Sequence, residues 1–89
     1  MELSEFQRRI VATYGDRDRA RGVPATVAWL AEEVGELAQA VRKGTPAEQE
    51  HEFADVLAWL CTLANINDVD LATAIGRKYL GEDAPQGAK

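Results

Sequence analysis

Two acidic pairs share one spacing in this chain. Glu33 and Glu36 stand three residues apart in "WLAEEVGELAQAVRKG", and Glu52 and Asp55 stand three apart in "HEFAD". Residues at i and i+3 lie on one face of a helix, so each pair presents two carboxylates side by side. Neither 32–36 nor 50–55 contains Lys or Arg, so no local salt bridge neutralises them. Carboxylates crowded into a partly dry site repel one another and stay ionised together only with cations. All-oxygen donors call for a hard divalent ion, Mg²⁺ or Mn²⁺. No Cys/His set with zinc spacing occurs, and no loop supplies the carbonyl-rich cage that Ca²⁺ prefers.

The elements that must bring the pairs together are helical. Val27, Leu30, Val34, Leu37 and Val41 alternate spacings of three and four, the seam of a helix bundle. This predicts a helix from about Ala25 to Lys43, ended by Gly44 as a residue free to take the left-handed conformation. "TPAE" predicts the next start, with Thr45 as cap, Pro46 in the first turn and Glu48 closing a capping box. Phe53, Val56, Leu57, Leu60, Leu63 and Ala64 form the buried stripe expected of that helix. The link is a few residues, so helices two and three form an antiparallel hairpin. Counting outward from Gly44–Thr45 sets Glu36 level with Glu52 or Phe53, and Glu33 level with Asp55 or Val56. Four carboxylates thereby meet on the flank of the seam, walled by Trp29 and Trp59.

Two further helices complete the pattern. Ser4 is a cap for a first helix carrying Phe6, Ile10 and Tyr14, which "YGDRDRARGVPA" is expected to interrupt. Asp70 caps a last one through Leu71, Ile75 and Tyr79 after the break "NINDVD". The expectation is an all-α, four-helix bundle forming one domain over 1–81, with 82–89 a flexible tail.

Size and charge narrow the function. A chain of 89 residues buries a small core, and its single cysteine forbids an internal disulfide, leaving metal binding or self-association as added stabilisers. The net charge is −5. An acidic body argues against sequence-independent nucleic-acid binding. Five arginines (Arg8, Arg9, Arg17, Arg19, Arg21) gather before residue 24, where they either steer a phosphorylated ligand or keep a solvated segment soluble. No apolar run approaches the ~18–20 residues of a membrane span, and no secretory h-region is visible, so a cytoplasmic location is expected.

Taken in order, "EEVGEL", "EFAD", "DVLAWLCTLAN" and "VDLATAIGRKY" resemble the E-x-x-E … E-x-x-D signature of MazG-like nucleotide pyrophosphohydrolases over about Val27 to Tyr79. These are all-α NTP pyrophosphatases, grouped with dimeric dUTPases and phosphoribosyl-ATP pyrophosphohydrolase. The resemblance implies that Glu33, Glu36, Glu52 and Asp55 ligate Mg²⁺, with Mn²⁺ as substitute. It implies a hydrolase that cleaves (d)NTP to (d)NMP and pyrophosphate, as in nucleotide-pool house-cleaning. Glu32 adjoins the ligands and is a candidate general base or water-positioning group, or else an outer-face acid. Asn65 and Lys78 match recurrent residues of the group and are candidate substrate contacts, alongside a helix-end hydrogen bond and an exposed charge as plainer roles. Lys43 lies two turns from Glu36 and can meet a phosphate. Trp29 and Trp59 either stack a base or serve core or interface. Leu30 stands where phosphoribosyl-ATP pyrophosphohydrolases typically carry Lys near the first pair, which favours a nucleoside triphosphate. The short chain leaves the base pocket to be completed by a neighbour, implying a homodimer or homotetramer.

Two rivals are distinct. "EQEH" gives one Glu-x-x-His, whereas a di-iron bundle needs two, and His51 is expected to point away from the Glu52/Asp55 flank. A non-catalytic helical dimerisation or regulatory module of the same fold would bind Mg²⁺ without turnover, or not at all.

Overall fold

The computed structural model describes residues 1–81; residues 82–89, where the sequence points to a tail, lie outside the described residues. Four helices follow in order, α1 (Leu3–Arg21), α2 (Val23–Lys43), α3 (Pro46–Ile66) and α4 (Leu71–Tyr79), with no strand among the described residues. The most extensive packing is between α2 and α3; α1 lies against α3, and α4 against α1. None of these helices is long and apolar enough to cross a membrane.

The two central starts follow local chemistry. The Thr45 hydroxyl accepts from the Glu48 N–H and the Glu48 side chain accepts from the Thr45 N–H, closing the expected capping box. Asp70 accepts from the Thr73 N–H at 2.9 Å and caps α4.

Three local expectations are corrected. The "YGDRDRARGVPA" segment does not interrupt α1, which runs to Arg21 and breaks only at Gly22, whose φ of 85° favours glycine. Asp18 is tied to Arg21 and Thr62 and holds that last stretch on α3, while Pro24 sits in the first turn of α2, where its missing N–H has no cost. The α1 N-cap is Glu2 rather than Ser4, with no side-chain cap. Gly44 ends α2 in extended rather than left-handed backbone (φ −91°), yet a side chain there would press to 2.8 Å from the Ala40 carbonyl oxygen.

The core is small. Ile10, Ala40, Cys61 and Ala64 are its buried apolar residues, and Gln7, Asp18, Thr26 and Thr62 are buried beside them. The Gln7 amide pins three elements: its Nε2 donates to Asn65 Oδ1 (2.9 Å) and the Val69 carbonyl (2.7 Å), and its Oε1 accepts from the Leu71 N–H (2.9 Å). The predicted apolar seams are only partly covered. Leu30, Leu37, Val56 and Leu63 are half-buried, but Val34 is 47% exposed and Phe53 58%, and Val27, Val41, Leu57 and Leu60 are also exposed. In one copy of the chain, the seam has two sides and the hairpin covers one.

Candidate metal and nucleotide site

The α2–α3 hairpin brings the acidic pairs to one level. Carboxylate oxygens of Glu33, Glu36 and Glu52 all lie within 4.8 Å of one another, close enough to share a cation. Glu52 also belongs to a second set with Asp55 and His51, again within 4.8 Å. The two sets join through Glu52. Pairing across the hairpin follows from the short turn: each residue of α2 lies beside one equally far along α3.

His51 is where sequence reasoning erred. It does not point away from this flank; its Nε2 lies 3.1 Å from Asp55 Oδ2. The reason is the i,i+4 spacing, which stacks the imidazole one turn below Asp55 on the same face.

The electrostatics are those of an unsatisfied cluster. Glu33 Oε2 and Glu52 Oε2 are buried and have no hydrogen-bond partner. Buried carboxylate oxygens are normally paired, and two unpartnered ones in one cluster make a donor set that could hold a cation. Glu33 responds by holding its proton. Its pKa is pushed up to about 7, first by burial, then by its hydrogen bond with Glu36, and then by the charges of Glu36, Asp55 and Glu52.

A cavity of about 520 Å³ adjoins the cluster on the side of the turn, lined by Glu36, Lys43, His51 and Glu52 among others. On the opposite side, a cavity of about 290 Å³ lies between α1 and α3, with Asp55 and Trp59 in one wall and Arg17 and Arg21 in the other. Trp29 and Trp59 stack on each other, ring centroids 5.8 Å apart and planes 9° from parallel. The Arg21 guanidinium lies over Trp59 at 4.8 Å.

The remaining candidates divide. Glu32 is exposed. Lys43 faces the larger cavity with the acids. The Asn65 side chain is engaged with Gln7 on both its oxygen and its nitrogen (2.9 and 3.4 Å), holding α1 to α3. Lys78 is on α4 beside the Tyr79 ring, at 5.2 Å, and lines neither cavity next to the carboxylates. Sequence reasoning did not single out Asp18 or Gln7, and it read Tyr14 only as part of an apolar helix face. One signal was available for Asp18: an acid inside an arginine-rich segment, three residues before Arg21.

No curated protein matches the chain significantly. The family model described as the MazG nucleotide pyrophosphohydrolase domain matches residues 21–79, a span that runs from the end of α1 to the end of α4 and holds all four clustered carboxylates. With that match over well more than half its length, the chain belongs to the MazG nucleotide pyrophosphohydrolase domain family.

Proposed function

We propose that this protein is a Mg²⁺-dependent nucleoside triphosphate pyrophosphohydrolase, releasing nucleoside monophosphate and pyrophosphate. The observation that carries the reading is the pair of buried, partnerless oxygens, Glu33 Oε2 and Glu52 Oε2, inside a cluster of carboxylates. This is a donor set that fits a hard cation: all-oxygen ligands, two of those oxygens buried, with excess negative charge. Glu33, Glu36, Glu52 and Asp55 would hold the metal, and Mn²⁺ is a chemically reasonable substitute. When bound, the metal supplies Lewis-acid withdrawal of charge from phosphate oxygens and a water of lowered pKa.

The chain's own residues account for the rest. Glu33 and Glu36 from α2, with Glu52 and Asp55 from α3, would hold the metal at the middle of the hairpin, and the reacting anhydride is proposed to lie there against it. Glu32, exposed and next to the ligand pair, is proposed to accept the proton of the attacking water. Lys43, in the cavity that Glu36 and Glu52 also line, is proposed to meet a phosphate. The mutually stacked Trp29 and Trp59 wall the site, and the outer side of Trp29, 46% exposed, remains for a base. Asn65 is proposed to act by holding α1 onto α3, and Lys78 to contact substrate through assembly with a second chain. The uncovered Val27, Val34 and Val41 face, with Phe53, Leu57 and Leu60, supports a homodimer or homotetramer.

The test is direct. Purified protein with Mg²⁺ is offered a panel of standard and oxidised (d)NTPs, and monophosphate and pyrophosphate are measured. Turnover on at least one is expected, and Glu36→Gln or Asp55→Asn should lower it by orders of magnitude with helicity intact. No turnover on any nucleotide with Mg²⁺ or Mn²⁺ would leave a non-catalytic module of the same fold. An unchanged rate in both variants would refute the ligand assignment.

A further inference from the structure

We infer that the cavity between α1 and α3 is an anion subsite, in which Arg17 and Arg21 hold the terminal phosphates of the substrate. The inference rests on the nucleoside triphosphate reading above, and it concerns a wall that the family match mostly does not reach. That match begins at residue 21, whereas Tyr14, Arg17 and Asp18 precede it.

Three observations build the site. Arg21 is fixed twice: Asp18, only 3% exposed, accepts from its Nη1 at 2.9 Å, and the guanidinium rests over Trp59 at 4.8 Å. Asp18 is itself fixed, because the Thr62 hydroxyl donates to its Oδ2 at 2.9 Å. Arg17 lies over the Tyr14 ring at 5.4 Å, and among the described residues it pairs with no carboxylate. The opposite wall of this cavity of about 290 Å³ contains Asp55, a carboxylate of the acidic cluster.

The chemistry favours phosphate over a nucleobase. Arg17 covers one face of Tyr14, and Trp59 is engaged by both Arg21 and Trp29, so Trp59 offers no free stacking platform and Tyr14 at most one face. A guanidinium lying on a ring keeps its N–H edge in its own plane, and that edge is suited to bidentate phosphate recognition. Arg17 brings an unpaired positive charge to the wall across the cavity from Asp55, in a chain of net charge −5. A polyanion held at the carboxylate cluster through cations would extend past Asp55 to meet it.

Isothermal titration of the full chain in Mg²⁺ tests this without knowledge of the preferred base, using inorganic pyrophosphate and a panel of nucleoside monophosphates as probes. Arg17→Ala is expected to weaken pyrophosphate binding about tenfold or more, the scale of one charge-assisted hydrogen bond, with monophosphate binding unchanged. Arg17→Lys, which keeps charge but loses the fork, should fall between. Arg9→Ala is the control for bulk charge, since Arg9 makes only an exposed contact to Glu5 at 3.7 Å, and it should bind as the parent does. The subsite is overturned if Arg17→Ala matches Arg9→Ala, or if the unaltered protein binds no pyrophosphate. Equal weakening of monophosphate would put the nucleoside in this cavity and overturn it too. Mg²⁺ titration followed by tryptophan fluorescence separates the two readings. Loss of Mg²⁺ binding in the parent refutes the metal site and the subsite together. Normal Mg²⁺ binding and turnover with undiminished pyrophosphate affinity in Arg17→Ala refutes the subsite alone.

Discussion

Replacing Glu33 by Gln should stabilise the metal-free protein at neutral and higher pH while weakening its response to Mg²⁺. Glu33 titrates at about 7 in the folded chain against an ordinary 4.5. Because the folded pKa is raised, the folded state binds more protons than the unfolded one between these values. Stability therefore falls as pH rises through that window, is unaffected by Glu33 below about 4.5, and carries the full penalty above about 7. At 1.36 kcal/mol per unit the unscreened penalty is about 3 kcal/mol. The cluster borders two open cavities, and screening by solvent reduces the expected effect to about 1–2 kcal/mol. A Gln amide carries no charge and can donate to Glu36 or Glu52, so repulsion is replaced by a hydrogen bond. The assay is urea denaturation followed by circular dichroism from pH 4 to 8.5, in EDTA and then in Mg²⁺, at one fixed protein concentration. In EDTA the Gln variant should equal the parent near pH 4 and exceed it above pH 7. In Mg²⁺ the parent should gain more stability than the variant. A variant less stable than the parent at pH 8 in EDTA, or a difference independent of pH, would refute the claim that Glu33 sits in an uncompensated acidic cluster.

Other perturbations test the frame around the site. Gln7→Ala removes three part-buried hydrogen bonds that join α1 to Asn65, Val69 and Leu71, so a loss of roughly 1–3 kcal/mol is expected by the same denaturation assay. Val34→Lys, in the uncovered stripe of α2, tests the proposed self-association and should leave a monomer in light scattering while preserving helicity. Cys61 is fully buried, and burial pushes its thiol pKa up, so a thiol reagent should label it only at the rate of unfolding.

Much of this molecule is dictated locally. The capping box at Thr45, the Asp70 cap and the break after Lys43 are decided within a few residues, because caps and turns depend on near neighbours. The meeting of the two acidic pairs was also legible, since a short turn leaves an antiparallel hairpin almost one register. The carrying of α1 through "YGDRDRAR" was not, because its tie comes from Thr62, which lies 44 residues from Asp18 in the chain. Nor was the use of Asn65, whose amide is claimed by Gln7 across 58 residues.

The apolar seams show the division most sharply. Spacing alone determined that Val27, Val34 and Val41 share a face, and that Glu33 and Glu36 flank it. It could not determine which side of that face the hairpin covers, since periodicity records what prefers to leave water and not what it meets. Packing decided that α3 takes the Leu30 and Leu37 side and leaves the valines open. Packing likewise set the arginines of α1 opposite Asp55. The sequence by itself determined a four-helix chain with carboxylates at metal-binding spacing. Only the tertiary structure decided which of their oxygens are dry and unpartnered, because desolvation is a property of neighbours distant in sequence.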